Sequence, residues 1–491
     1  MELLTTINDL IWNPMAVLAL AVGLLFTVLT KVIQIRRLPE ALRLLRGKSS
    51  ASGLSSFQAL SLALSSRVGV GNIAGVATAI AAGGPGALFW MAVCATLGAA
   101  SAFAESTLAQ IFKRRVDGED RGGIPYYIEH GLRQRWLACV VAGMVLVGYG
   151  FVFPGVQSNN IASALEGATG APTWVTGLAV VALMALVIFG GTRRIAHFAQ
   201  TVVPFMAVGY VLLAVVILLL NADRIPAMVA LVLSSAFGTH ATFGGILGAA
   251  VSWGVRRAVF SNVAGVGEGT YAAAAADVSH PVKQGLVQSF SIYIDTLFVC
   301  MATGLMILVT DAYNVLPEGA GTPLVEHLPG TEAGPAFTQA AVNSTVPGAG
   351  GVFVAVALTF FAFTTLVAFY YIAKTNLVYL TGRAATPALD VVLGLGMLGI
   401  TYYGAVESAD LVWAIGDIGY GAIGWVNMIC LLFLVRPVAR ALADYEAQRR
   451  DGLDPVFDPR RAGITGADHW LTHGPASAEG SREGASRRGE R

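Results

Sequence analysis

Long apolar stretches recur along nearly the whole chain, separated by short polar segments. About 20 consecutive apolar residues cross a bilayer as a helix. On that measure, spans fall near residues 11–33, 55–82, 86–112, 137–163, 172–191, 200–220, 243–276, 284–310, 350–378, 386–405 and 411–435. The pattern predicts an all-α polytopic membrane protein of about eleven transmembrane helices, forming one transmembrane domain over 1–445. Beyond 446 the apolar period stops and Arg, Gly, Ser and Glu dominate. Residues 446–491 therefore read as a disordered cytoplasmic tail.

Two spans share a motif. The second contains Arg67-Val-Gly-Val-Gly-Asn72-Ile-Ala-Gly75-Val76, and the seventh contains Arg257-Ala-Val-Phe-Ser-Asn262-Val-Ala-Gly265-Val266. The two stretches lie five spans apart, and an odd separation reverses direction through the membrane. That is the signature of a five-plus-five inverted repeat, 55–220 and 243–435, with 11–33 as an extra N-terminal helix. Each glycine weakens a helix by about 1 kcal/mol, and both spans hold three close together: Gly69, Gly71 and Gly75, then Gly265, Gly267 and Gly269. Two broken helices are predicted. Unwound backbone at membrane depth belongs where it is buried or lines a polar cavity, and its free N–H and C=O groups can hold an anion or a cation. The plainer alternative is close helix packing of the small-xxx-small kind.

Composition agrees with a membrane: 55% of the 491 residues are hydrophobic and 12% charged, against about a quarter charged in soluble domains. A net charge of +1 leaves no nucleic-acid footprint. Basic residues gather in alternate loops: Lys31, Arg36, Arg37, Arg43 and Arg46 after the first span, Lys113, Arg114, Arg115 and Arg121 after the third, and Arg436 at the start of the tail. This bias puts the N-terminus outside and the C-terminus in the cytoplasm of a cell membrane of the bacterial inner-membrane type. The first run has an acidic front, Glu2 and Asp9, and reads as a helix, not a cleaved signal. Cys94, Cys139, Cys300 and Cys430 sit in apolar runs without metal-ligand spacing and read as small buried hydrophobes. No GxSxG, HExxH or paired-carboxylate face supports an enzyme, and no repeated filter supports a channel.

Ionisable residues inside spans face a partner or a cavity. Arg67, Glu105, Arg257, Glu268, Asp295 and Asp417 are such residues. Structural pairing is expected for Glu105, Asp295 and Asp417, with Arg67 or Arg257 each meeting an acid on another span. Trp90, Trp174 and Trp413 lie near span ends and read as interfacial anchors. His280 reads as a loop residue.

The stretch Ala63-Leu-Ser-Ser-Arg-Val-Gly-Val-Gly-Asn-Ile-Ala-Gly-Val-Ala-Thr78, together with Gly83–Met91, Phe103–Ala109, Gln157–Gly167, His280–Gln288, Asp295-Thr296 and Phe361–Thr365, resembles the alanine or glycine:cation symporter family. The resemblance runs from about 10 to 440 and implies the amino acid-polyamine-cation superfamily fold. It implies sodium- or proton-coupled uptake of a small amino acid by alternating access, with no cofactor and no obligate protein partner. An exchange-type carrier of a different amino acid is the alternative. Carried over, the amides of Gly69, Val70 and Gly71 and the Asn72 side chain would hold the substrate carboxylate. Gln157 would contact the substrate, or else make only a helix–helix hydrogen bond. Phe260, Ser261 and Gly265 would form one wall, with Thr365 and Phe369 closing the pocket. The coupling cation would sit among the carbonyls near Ser65 and Val68 and the hydroxyls of Thr364 and Thr365, unless those hydroxyls only bond their own helix. Glu268 is either a coupling proton site or a substitute for the glutamate that the family carries where Val263 stands here. Further departures are Ala92 for a second tryptophan, Phe369 for a tryptophan, and Ala373-Lys374 for Gly-Glu.

Overall fold

The computed structural model describes residues 2–46, 53–189, 192–240, 242–317, 319–348, 350–382 and 387–473. It is helical almost throughout; the described strands are two short hairpins, 114–121 and 314–326. Among the described residues, eight helices are long and apolar enough to cross a membrane. The chain is a polytopic membrane protein. The count falls short of the sequence expectation for a physical reason. A broken span leaves pieces that are each too short to qualify, and the helix Thr173–Ile188 has only 16 residues.

The elements that build the site are α1 (Glu2–Leu29), α2 (Ser56–Arg67), α3 (Ala74–Gly83), α4 (Gly86–Ile111), α5 (Phe153–Thr169), α6 (Leu247–Asn262), α7 (Gly269–Ala275), α8 (Pro281–Ile292), α9 (Gly350–Thr381), α10 (Ala409–Phe433) and α11 (Val435–Arg450). Helix α4 is the hub, packing on α1, α6 and α8; α5 packs on α9 and α10. Outward faces are apolar and exposed, as Leu186, Phe205 and Leu219 show, which suits lipid. Of the cysteines, Cys94, Cys300 and Cys430 are buried and Cys139 is exposed.

The tail departs from expectation. Residues 446–473 are packed, not disordered; 474–491 lie outside the described residues. Tyr445, Phe457, Ile464 and Trp470 are buried. The Phe457 amide donates to the Ser279 carbonyl at 2.9 Å, and the Trp470 indole N–H donates to the Gln110 carbonyl at 2.9 Å. Lys283 pairs with Asp454 at 2.6 Å, and Arg114 with Asp468 at 2.9 Å. His280 is not a free loop residue. It caps α8, its Nδ1 accepting the Val282 amide, so its proton sits on Nε2 and is donated to Asp444 at 3.2 Å.

Burial holds the His280 imidazole below its ordinary value. Burial opposes ionisation of Asp444, but hydrogen bonds from His280 and Arg461 outweigh it and hold that carboxyl at about 2. A base whose folded value is depressed resists protonation, so its stabilisation is present above the ordinary histidine range and is lost as pH falls through it. The Asp444 contribution, by contrast, is present above 3.8, the ordinary aspartate value, and is lost as pH falls from there through about 2. Hydrogen exchange of 451–473, corrected for intrinsic rates, should therefore accelerate as pH drops below about 6.5, the ordinary histidine value. Protection that is flat across that range would remove His280 as the cause.

Candidate functional site

Helix α2 opens with a capping box, in which Ser55 accepts the Gln58 amide and the Gln58 side chain accepts the Ser55 amide. It ends at Arg67, passes through Val68 and Gly69 in non-helical conformations, makes one 3₁₀ turn (Val70–Asn72) and resumes as α3. The second break runs from Val263 to Glu268, between α6 and α7. Here Val263 (φ 49°), Gly265 (φ 82°) and Gly267 (φ 93°) are left-handed. Glycine takes that conformation freely; a β-branched valine is strained in it.

The motif asparagines hold the breaks. Asn72 Oδ1 accepts the Gly69 amide at 2.8 Å, and Asn262 Oδ1 accepts the Ala264 amide at 3.0 Å. Their amide groups then meet on adjacent residues: Asn72 Nδ2 donates to Asp295 Oδ1 at 2.7 Å and Asn262 Nδ2 to Thr296 Oγ1 at 3.1 Å. Asp295 also accepts from Ser261 Oγ at 3.1 Å and from Thr296 Oγ1 at 2.8 Å. Both residues lie in a π-helical stretch, Tyr293–Cys300, that continues α8. Such bulges recur at functional sites.

The residues expected to contact substrate fall into one buried cluster with two outliers. The Val70 amide donates to Gln157 Oε1 at 3.2 Å. A Cβ built on Gly69 would stand 2.6 Å from Thr365 Oγ1 and 3.0 Å from Gln157 Oε1; one on Gly71 would stand 2.9 Å from the Ser261 backbone and 3.4 Å from the Phe260 ring. The first break is thus pressed between α5, α6 and α9, where only glycine fits. The amides of Gly69 and Val70 are already bonded within the protein in this arrangement, as is the Asn72 side chain. The outliers are Gly265, which faces Met428, and Phe369, whose ring packs on Tyr149 (centroids 5.1 Å).

Among the cation candidates, Thr365 Oγ1 approaches the Val68 carbonyl at 3.4 Å while bonding the Phe361 carbonyl at 3.0 Å. Thr364 also bonds the Phe361 carbonyl, at 2.9 Å, and Ser65 bonds the Leu62 carbonyl at 2.7 Å. Val68 and Thr365 are brought together. Ser65 and Thr364 donate their hydroxyl protons to carbonyls of their own helices, which leaves their oxygen lone pairs available.

Glu268 lies at the end of the second break. Its Oε2 accepts from Tyr149 at 2.8 Å and from Tyr420 at 3.4 Å. Those tyrosines belong to a ring cluster with Phe153, Phe260 and Phe369; Phe153 and Tyr420 stack with centroids 3.9 Å apart. The tyrosines escaped sequence reasoning, although a hydroxyl inside an apolar run is a usable signal.

On one side the cluster is closed by ions and rings. Asp417 accepts from Arg256 (2.7 Å) and, through both oxygens, from Arg257 (3.0 and 3.1 Å). This meets the expectation that Arg257 pairs with an acid on another span. Trp413 is no mere interfacial anchor: its ring lies 5.0 Å from Phe260 and 4.6 Å from the Arg257 guanidinium. Beyond this layer opens a cavity of ≈ 1090 Å³ lined by Thr78, Asn160, Arg256, Arg257, Trp413 and Asp417 among others. None of the expected substrate or cation residues lines it. The Arg257–Asp417 pair and Trp413, whose ring packs on Phe260, stand on its wall.

A putative sodium/proton-dependent alanine carrier protein of Bacillus subtilis (strain 168) is 52% identical over 472 residues, 96% of this chain and 97% of that one. A sodium/proton-dependent alanine carrier protein of Bacillus sp. (strain PS3) is 49% identical over 86% of this chain and 95% of its own length. A probable sodium/glutamine symporter of Bacillus subtilis (strain 168) is 41% identical over 92% of this chain and 91% of its own. The pattern described as the sodium:alanine symporter family matches residues 1–459, which takes in both breaks and the ion pair above them. With that match spanning the whole helical body, the chain belongs to the sodium:alanine symporter family, a family of membrane transporters and not of enzymes.

Proposed function

We propose that this protein is a secondary active transporter that couples Na⁺ entry to uptake of a small neutral amino acid such as alanine or glycine, by alternating access. The observation that carries the reading is the junction of the two breaks, where Asn72 and Asn262 converge on Asp295 and Thr296. Two unwound segments locked to one helix can move only together, which is what an alternating-access site requires. The proposed substrate contacts are Gly69, Val70, Gly71, Asn72, Gln157, Phe260, Ser261, Gly265, Thr365 and Phe369; the cation takes Ser65, Val68, Thr364 and Thr365. In the present arrangement the site is shut, and substrate would enter when Phe260 swings from Trp413 and the Gly69–Gln157–Thr365 contact loosens. Eleven crossings, the five-plus-five inverted repeat, an outside N-terminus and a cytoplasmic C-terminus belong to the same proposal. The cavity is then the outer vestibule.

Glu268 would serve coupling as a tie: it fastens the second break to the hydroxyls of Tyr149 and Tyr420. Glu268→Gln is expected to cut the uptake rate about tenfold, the effect of weakening one or two charge-assisted hydrogen bonds. Unchanged uptake in that variant would remove the tie. The function itself is tested by uptake of radiolabelled alanine into liposomes with and without a Na⁺ gradient. Failure to bind any of the twenty amino acids at any Na⁺ or proton concentration would overturn it.

A second reading is a carrier of a larger amino acid, driven by protons or by exchange. It is favoured by Phe369, which stands where the family has a tryptophan, and by the relative whose name gives glutamine as its substrate.

A further inference from the structure

Charges buried in a membrane core have to balance, since an uncompensated one is costly there. The single guanidinium of Arg67 faces three carboxyls, Glu105, Glu268 and Asp295, all with 1% exposure or less. If all four groups were ionised, two negative charges would stand uncompensated, and protonating one acid halves that excess. Which acid takes the first proton can be read from the donors each one receives.

Asp295 receives Asn72, Ser261 and Thr296, three donors suited to a carboxylate. Glu268 receives two tyrosine hydroxyls, with the Ser66 hydroxyl beside it. Glu105 receives one hydrogen bond, from Asn427 Nδ2 to Oε2 at 3.1 Å. The Gly265 amide lies beside the carboxyl, yet Oε1 has no partner in hydrogen-bond geometry among the described residues. Oε1 of Glu268 and Nε and Nη2 of Arg67 are likewise unpartnered and buried. Four polar atoms on three neighbouring elements lack a hydrogen-bond partner among the described residues, and of these Glu105 Oε1 and Glu268 Oε1 are able to take a proton.

We propose that Glu105 is a proton-binding site of this transporter, separate from the Na⁺ and amino-acid site, with the proton carried on Oε1. The inference rests on the cation-coupled reading above and adds a second ion to it. The step is a protonation: hydronium gives a proton to the Oε1 carboxylate, one O–H bond of hydronium breaks as the carboxyl O–H forms, and neutral water is left. The link to the second break is Asn427. Its amide donates to Glu105 Oε2 and, at 2.8 Å, to the carbonyl of Gly265, while its oxygen accepts the Tyr127 hydroxyl. With that oxygen occupied, the amide cannot flip away. A charge appearing on Glu105 strengthens its hold on Asn427 at the expense of Gly265, and so loosens the left-handed backbone at 265. The charged and titratable groups facing Glu105 are Arg67 from α2, Glu268 from the second break and Tyr127 from the helix Ile124–Gly131. Arg67 is the one cation among them.

The test uses the full chain, reconstituted in liposomes, with alanine uptake driven either by Na⁺ at constant pH or by an imposed pH gradient without Na⁺. The wild type is expected to respond to both. Glu105→Gln, a permanently neutral carboxyl, is expected to keep Na⁺-driven uptake and lose the pH-gradient response, and Glu105→Asp to regain part of it. A pH response that survives in Glu105→Gln overturns the proposal. So does a wild type indifferent to pH, which leaves Na⁺-coupled transport standing. A readout free of transport is the infrared band of protonated carboxyl groups in detergent-solubilised protein. A pH-dependent component present in the wild type and missing from Glu105→Gln supports the site even if alanine is not carried. Identical spectra sink it.

Discussion

Asp417→Ala is expected to destabilise the protein by about 3 kcal/mol, the low end of the cost of breaking a buried ion pair from one side. The low end applies because the pair borders a cavity that water can enter. The variant leaves two guanidiniums, Arg256 and Arg257, without the carboxylate that both grip with side chains 8% and 4% exposed. Rings soften the loss: Trp253 lies 4.6 Å from Arg256 and 5.0 Å from Arg257, and Trp413 lies 4.6 Å from Arg257. A cation over an aromatic face recovers about 0.5–2 kcal/mol, not the whole of the pair. Thermal unfolding in detergent, followed by tryptophan fluorescence, measures the shift. Asp417→Asn, which keeps one acceptor, should fall between the wild type and alanine. A melting point unmoved in Asp417→Ala would mean that the guanidiniums are solvated and that the pair does not close the cavity floor.

Gly71→Ala is expected to abolish transport while leaving a protein that still inserts and purifies. The new methyl would stand 2.9 Å from the Cα of Ser261. Backbone cannot rotate aside as a side chain can, so one break must move off the other. Overpacking of this kind costs about 1–3 kcal/mol, which a large membrane domain survives. A shift of that size between the walls of a small site is a heavier penalty for binding. Substrate-induced stabilisation, measured as the change in melting temperature on adding alanine with Na⁺, should vanish. Gly75→Ala is the control: a Cβ there meets only the Arg257 side chain, at 3.8 Å. Equal loss in both variants would mean that helix weakening, and not contact between the breaks, is what matters.

Much of this was legible before any coordinates. Glycine spacing located both breaks, because the loss of helix propensity is local and needs no tertiary context. Charge in an apolar run marked Asp417 and Arg257 as residues that need partners, since the cost of burying either alone is set by the membrane; that they partner each other came from the structure. The role of Asn72 was not legible. An asparagine that caps a break and one that grips a ligand look the same in sequence. Only the Gly69 amide and the Asp295 carboxylate on its two ends reveal the cap. Trp413 was misplaced for a similar reason: nearness to a span end suggests an interface, but the pocket of Phe260 and Arg257 that receives it is assembled from another helix. The segment after 450 misled through composition. Phe457, Ile464 and Trp470 follow no period, and their burial depends on surfaces contributed by Gln110, Ser279 and Lys113 far upstream.

That segment bears on how the protein is handled. Fluorescent or affinity fusions are often attached after trimming a polar carboxyl end that looks expendable. A junction placed before Asp454 would remove the Trp470 indole from the Gln110 carbonyl and from Lys113, whose ammonium lies 5.3 Å from that ring. It would also strand Lys283 and Arg114 without Asp454 and Asp468. Apolar surface at the ends of α4 and α8 would then face water, inviting aggregation on extraction from the bilayer. A junction beyond residue 473 keeps all of these contacts, so the safest fusion point is the one that leaves Asp468–Thr472, the last helix among the described residues, intact.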